Sequence, residues 1–407
     1  MQHMRCLAIA LAVLPAWHSL RAQGTGKMQT IYSFQVPPGA AYPLAGPVVS
    51  PSGVVYGTTY LGGSATACGS SGCGTVFELT PPSSAGGAWI ESLIYGFSGY
   101  PNGKQPQTGL VLGAGGALYG SADGAVFELT PPVSPDGAWT ETTVYNFSGA
   151  LDSGGPPTGN LAVGPSGSIL GTTAFGGAYG KGKVFELTPP ASPGGAWTLA
   201  LLYSFSGFGD GSQPDTGVVF GGGGAIYGTT YKGGAGYGAV FGLGLVGEVW
   251  QLKMRADLDG GTLNHPSGLA LGHDGAIYGQ TGSVIFRAMP PATEGAAWPV
   301  KSIYTGGYIN GLSVTVGSTG AIYFTTPTGG TSTACGNLSG CGTLNALMPP
   351  TSPGGAWTPV VLHNFTGQQG EGYWPNGGLA VTTDGAVYGT TQQGGENLFG
   401  TVFRYAP

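Results

Sequence analysis

The apolar residues of this chain fall in short runs, and turn residues separate them at regular intervals. One stretch shows the plan: GLVLGAGG from Gly109, ALYGS from Ala117, GAVFELTPP from Gly124 and GAWTETTVYNFSG from Gly137. Each run is rich in Val, Leu, Tyr, Phe and Thr, and glycine or proline bounds it. That is the pattern of strands joined in hairpins. The four runs are called strands A to D below.

The unit recurs seven times. A turn glycine marks each copy at Gly53, Gly116, Gly167, Gly224, Gly275, Gly320 and Gly385. A YG strand follows at Tyr56, Tyr119, Leu170, Tyr227, Tyr278, Tyr323 and Tyr388. A VF strand comes next at Phe77, Phe127, Phe185, Phe241, Phe286 and Phe403, with Asn345 as the exception. The YsF landmark is Tyr32, Tyr95, Tyr145, Tyr203, Trp250, Tyr304 and His363. Units lie about 55 residues apart, and four strands at such a period are the signature of a β-propeller blade. The expected fold is all-β: a seven-bladed β-propeller with four antiparallel strands per blade. The blades are expected at 43–97, 106–147, 157–205, 213–252, 263–305, 309–365 and 375–405. The chain opens on an orphan D strand at 28–34, which should complete the C-terminal blade and remove the open seam of the ring.

These units resemble the GloVer tandem-repeat proteins. The residues that carry the likeness are VYGTTYLGG and GCGTVFELTPP from Val55 onward, IYGTTYKGGAGYGAVFGL from Ile226 and VYGTTQQGGENLFGTVFRY from Val387. The resemblance spans nearly the whole chain after residue 22. It implies an exported repeat protein without an assigned biochemical role, in some cases joined to a surface anchor. It carries no catalytic residue over, and no appended anchor domain is expected here.

Composition narrows the picture. The 407 residues include 82 glycines and 31 prolines, and only 7% are charged, against roughly 25% in ordinary soluble domains. Glycine is too sparse for collagen, and a helical bundle would want Ala, Leu, Glu and Lys instead. The repeat and a 41% hydrophobic content separate the chain from disordered Gly/Pro-rich sequence. Net charge is −6 and no basic run occurs, which argues against nucleic acid and anionic lipid as partners.

Residues 1–22 read as a secretory signal, with Arg5 before an apolar run at 6–17 and a cleavage site after Ala22. No other segment approaches the roughly 20 apolar residues of a membrane helix. Four cysteines then remain as two local pairs, Cys68 with Cys73 and Cys335 with Cys341. Export favours disulfides, and each pair is expected to close its own loop, with cross-pairing left open. The spacings and the exported context make a four-cysteine zinc site a poor fit. A secreted, periplasmic or cell-surface location and a monomer are expected.

In a propeller the B–C and D–A loops share one face, and the A–B and C–D turns share the other. The C–D turns repeat TPPxSPGGAW, so Trp89, Trp139, Trp197, Trp298 and Trp357 read as packing residues between blades or caps on hairpins. The B–C and D–A loops vary more and form the candidate binding face. The D–A loops carry a degenerate DGxxP: Asp152, Asp210, Asp259 and Glu371, with Asn102 in one blade and Asp257 beside Asp259. Such acids accept backbone N–H bonds in turns. Alternatively they ring the axial opening and hold Ca²⁺ or a hydroxylated or cationic ligand. No other cofactor is expected.

Aromatics gather in the same loops: Tyr100, Phe175, Tyr179, Phe208, Tyr231, Tyr237, Trp374 and Phe399. Flat rings beside Asp, Asn and Gln suit sugars, and Trp374 stands outside the repeated GAW position. Of the histidines after the signal, His273 falls in an A–B turn and His363 replaces a landmark Tyr. His265 alone sits at a strand A entrance near Asp257 and Asp259, where a His–acid pair serves acid–base chemistry. No HExxH, GxSxG, P-loop or dinucleotide motif occurs.

The favoured reading is a binding module for polysaccharide or a surface protein. Its ligand residues are Tyr179, Tyr231, Tyr237, Trp374, Phe399, Asp152 and Asp210. The alternative is a glycan-active hydrolase or lyase, which needs two converging carboxyl groups. It would draw on Asp210, Asp257, Asp259, His265 and Glu371. A structural scaffold without a ligand is the third reading.

Overall fold

A computed structural model describes residues 26–84, 86–99, 102–134, 137–147, 155, 157–192, 194–233, 236–291, 298–309, 314–336 and 339–407, and the backbone of 22–23. The first blade contains Val48–Val49, Val55–Thr59, Thr75–Thr80 and Ile90–Gly96, paired antiparallel in chain order from the axis outward. Six more sheets of the same plan complete a seven-bladed propeller. Lys27–Ser33 pairs antiparallel with Thr401–Ala406, so the N-terminal strand is the outer strand of the last blade, as the orphan D strand implies. The Phe34 N–H donates to the Gly400 carbonyl at 3.0 Å and continues that seam. Ala22–Gln23 adds a short parallel strand outside Thr358–Asn364 of blade six. The rest of the expected signal, residues 1–21, lies outside the described residues.

One cross-strand rule builds every blade. The glycine of YG faces the phenylalanine of VF: Gly57 against Phe77, Gly120 against Phe127, Gly171 against Phe185, and likewise around the ring. A Cβ on Gly57 would lie 2.5 Å from the Phe77 ring. The glycine therefore provides the room in which a fully buried ring lies flat across its neighbour strand. Blade six carries the pair in reverse. Phe324 stands where the glycine belongs and faces Asn345, and both are buried. The Asn345 amide donates to Thr343 Oγ1 at 2.7 Å. The exceptional Asn345 is thus one half of an exchange whose other half is Phe324.

Two kinds of aromatic contact join most blades to the next, each at five of the seven junctions. The phenylalanine that ends strand D packs edge-on against the C-strand phenylalanine of the following blade, as in Phe34 on Phe77 and Phe97 on Phe127 at 5.1 and 5.2 Å. The GAW tryptophan packs edge-on against the B-strand tyrosine of the preceding blade. Trp89 meets Tyr388, Trp139 meets Tyr56, Trp197 meets Tyr119, Trp298 meets Tyr227 and Trp357 meets Tyr278. Edge-to-face pairs add about 0.5–1.5 kcal/mol each beyond burial. The tryptophans are therefore inter-blade residues.

Blade four departs from expectation. Trp250 is not its YsF landmark. Ala256 faces Val240 there, in the place Tyr203 holds against Val184 one blade earlier. Trp250 packs against the core cluster that contains Leu170 of blade three, which is the GAW role. The cause is a two-residue turn at Gly247 and Glu248, with Gly247 at φ +61°, in place of the TPPxSPGGAW connection. A tight hairpin lets both strands lengthen. The outer strand Val249–Asp257 accordingly runs past the expected end at residue 252.

Two outcomes test this account. Deleting residues 26–33 should lower the thermal midpoint by roughly 10 °C or more, because the last blade loses its outer strand and the ring its closure. Phe324→Gly and Asn345→Phe should each cost about 3 kcal/mol, one by cavity and one by overpacking. The double variant restores the common pair and should recover most of the loss, read as coupling in a denaturant-unfolding cycle.

Candidate functional site

The D–A loops begin with a clamp. In blade three the Asp210 carboxylate accepts the Ser206 N–H and hydroxyl at 2.8 Å, the Gly207 N–H at 3.0 Å and the Tyr203 hydroxyl at 3.1 Å. Burial alone would raise its pKa, but these donors hold the carboxyl below its ordinary value. Glu371 repeats the device in blade six, with His363 Nε2, the Thr366 N–H and the Thr366 hydroxyl as donors. Its pKa is lowered in the same way, the donors outweighing burial. Asn102 bonds Tyr95 at the matching place in blade one. Asp257 is paired with Arg255 at 2.7 Å, and Asp259 accepts the Gly261 N–H at 3.0 Å. Each described acid proposed for chemistry thus holds its own turn or a neighbour. Asp152 and Tyr100 lie outside the described residues. Among the described residues no three His, Cys, Asp or Glu side chains gather as a metal site.

A second regularity follows the clamp. Tyr42, Gln105, Gln213, His265 and Trp374 each precede a proline and each hold φ between +47° and +58°. Left-handed backbone is costly for a residue with a Cβ, and a following proline favours extended conformations instead. The surroundings impose it. Each N–H donates to a carbonyl just before strand C of the preceding blade: Phe399, Cys73, Lys181, Tyr237 and Cys341, at 2.6–3.1 Å. The backbone is therefore the same in five blades while the side chain changes. Sequence reasoning singled out His265 and Trp374 without seeing that they share one position. The X-Pro dipeptide in every such loop was the available signal.

Around His265 the loops of blades three to five interlock. The His265 ring stacks on Tyr231 at 4.3 Å with 24° between planes. Its Nδ1 lies 2.8 Å from the Tyr231 carbonyl. A carbonyl only accepts, so Nδ1 carries the hydrogen and Nε2 is the free ring nitrogen. The Tyr231 N–H in turn donates to the Gln213 carbonyl. Nearby lies Asp215, which the sequence reading missed. One of its carboxylate oxygens is buried without a partner. Burial pushes its pKa up to about 6, against its own backbone bond and the His265 charge.

The exposed aromatic side chains among the described residues are Phe175, Tyr179, Phe208, Tyr231, Tyr237 and Tyr308. All six lie on B–C or D–A loops, and five belong to blades three and four. Phe208 is 94% exposed and Tyr179 61%. Two expected ligand residues are placed otherwise. Phe399 packs into the core between the last and first blades and meets Tyr42 edge-on. Trp374 is half-buried against Tyr373, with its indole nitrogen buried and unpartnered. The disulfides Cys68–Cys73 and Cys335–Cys341 close two B–C loops locally, with Cα–Cα distances of 5.1 and 5.6 Å. No helix among the described residues is long and apolar enough to cross a membrane.

Residues 121–285 match the Gloeobacter/Verrucomicrobia repeat, the family named from the YGTT and GTVF motifs. No curated protein sequence matches the chain. Among solved structures, a streptogramin B lyase superposes with a TM-score of 0.56 at 16% identity, covering 93% of this chain and 97% of the lyase. An inactive variant of virginiamycin B lyase from Staphylococcus aureus with quinupristin gives 0.56 at 14% identity, over 94% and 99% of the two chains. The extracellular domain of a proposed one component system from B. thetaiotaomicron gives 0.53 at 10%, over 92% of this chain and 40% of that one. At such identities the likeness is one of fold.

Asp215 provides a test of the loop geometry. Its folded pKa is raised, so the folded chain binds the proton more tightly than the unfolded one. The cost of ionising it develops as pH rises from about 4 to about 6 and persists above. Asp215→Asn should therefore stabilise the fold at pH 7, by on the order of 2 kcal/mol. The gain should vanish at pH 4, as read by thermal unfolding at the two pH values.

Proposed function

We propose that this repeat-built propeller is an extracellular binding module whose loop face takes a polyhydroxylated ligand, carbohydrate foremost. The observation that carries the reading is the placement of the exposed aromatics. Six flat rings stand on one face, while the opposite face keeps its tryptophans against neighbouring blades. Sugar rings stack on aromatic faces and bond through amides, hydroxyls and imidazole. Gln213, the free Nε2 of His265 and the Tyr231 and Tyr237 hydroxyls supply such groups beside the rings. Locally closed disulfides suit an oxidising compartment, which supports an exported site of action.

A hydrolase or lyase remains the second reading, on the strength of Asp215 rather than the acids first named. Asp210 and Glu371 are saturated by local donors, whereas Asp215 keeps an unpartnered oxygen and a pKa in the working range of a general base.

Affinity electrophoresis of the mature chain against a panel of neutral polysaccharides separates the readings. Retention by at least one polysaccharide is expected, and Tyr231→Ala with Tyr237→Ala should weaken it at least tenfold. Retention that ignores both substitutions rejects the loop-face site. Release of reducing ends that stops in Asp215→Asn would instead establish the enzyme.

A further inference from the structure

The opposite face carries inter-blade grooves, and one of them is built differently from the rest. A groove of about 930 Å³ opens between blades five and six. Its floor is Tyr278 and Trp357, packed edge-on at 5.8 Å, and Pro349, Pro350 and Pro353 form one wall. The groove between blades one and two repeats this plan with Trp139, Pro131 and Pro132, at about 650 Å³.

The difference lies in the ladder row that faces each groove. In blade one the row runs Tyr56, Glu78, Ser92 across strands B, C and D. In blade two it runs Tyr119, Glu128, Thr142. In blade five it runs Tyr278, Arg287, Lys301. Two cations therefore stand directly opposite each other on neighbouring strands, in a chain with only 12 basic residues. Like charges at that position destabilise a sheet. Blade seven also has an arginine in this row, but Gln29 faces Arg404. The doubled charge is peculiar to blade five.

Among the described residues only one of the two cations is answered. Asp274 in the A–B turn accepts from Arg287 at 2.8 Å and from the Tyr278 hydroxyl at 3.0 Å. Lys301 is exposed, and no described residue forms an ion pair with it. We propose that the groove between blades five and six binds a carboxylate carried on a flat ring, the ring on Trp357 and the prolines and the carboxylate on Lys301. The volume suits a ligand of two or three rings. Two sources share this chemistry, uronic-acid sugars and aryl carboxylates. The site lies on the far side of the ring from the loop-face aromatics and does not depend on them. The groove between blades one and two is an internal control, because Glu78 turns anions away from the same aromatic and proline surface.

Calorimetric titration of the full mature chain tests the proposal with trigalacturonate, its carboxyl-reduced neutral counterpart and 4-hydroxybenzoate. At least one carboxylate should bind, more weakly as salt rises, and the neutral trisaccharide should bind at least tenfold worse. Lys301→Ser places the blade-one residue in the row, so the fold should keep its thermal midpoint or gain. It should cost the carboxylate at least tenfold in affinity. Tyr231→Ala should leave this binding unchanged, which separates it from any loop-face site. Uronate alone assigns a sugar, and benzoate alone an aryl acid. Equal binding of the neutral sugar, indifference to Lys301→Ser, or no binding of either carboxylate overturns the site.

Discussion

Everything in this ring depends on a glycine facing a phenylalanine across two strands. The missing Cβ lets a whole aromatic ring lie over the neighbouring strand inside the blade. In five blades that ring then meets the phenylalanine that ends the previous blade. With only 7% charged residues, the chain has little ionic material with which to join its blades. Aromatic packing does that work, through the phenylalanine pairs near the loop face and the tryptophan–tyrosine pairs near the turn face. Because both contacts cross from one blade to the next, no blade holds its own complete core. The ring is stable as a closed object, and the N-terminal strand closes it.

This division leaves the two faces with different freedom. On the turn face the tryptophans pack on the neighbouring blade, and the ladder row beside them carries two cations only in blade five. On the loop face the clamp acids and the pre-proline bonds fix the backbone, and the side chains beyond them vary. A rigid backbone with variable side chains is the usual arrangement of a recognition surface. The left-handed pre-proline residues fit that picture. Their conformation is set by a bond to the neighbouring blade and not by their own identity, so Tyr, Gln, His and Trp are all accepted.

Much of the fold was legible because the period is long and the landmarks are chemically distinct. The blade count, the strand order and the seam follow from glycine, tyrosine and phenylalanine spacing. Blade four escaped because its short Gly247 turn removed the TPPxSPGGAW marker, and Trp250 then resembled the wrong landmark. Asn345 looked like a defect because its partner Phe324 is 21 residues earlier, and only the cross-strand register joins them. The candidate site was less legible. Aromatics such as Tyr231 and Tyr237 could be named from loop position. Whether an acid was free or occupied could not, since Asp210, Glu371 and Asp215 look alike in sequence and differ only in the donors that surround them.

The sequence by itself determined the architecture, because a hydrophobic period repeated seven times admits few packings, and the orphan first strand admits one closure. Only the tertiary structure decided which side chains are available for function. Availability depends on what faces a group across a strand or a loop: Lys301 beside Arg287, Asp215 beneath His265, and Trp374 turned half inward while Tyr231 stays at the surface. Lys301 meets Arg287 only through the register of one hairpin, Asp215 and His265 come from different blades, and distance in the chain carries no trace of either contact.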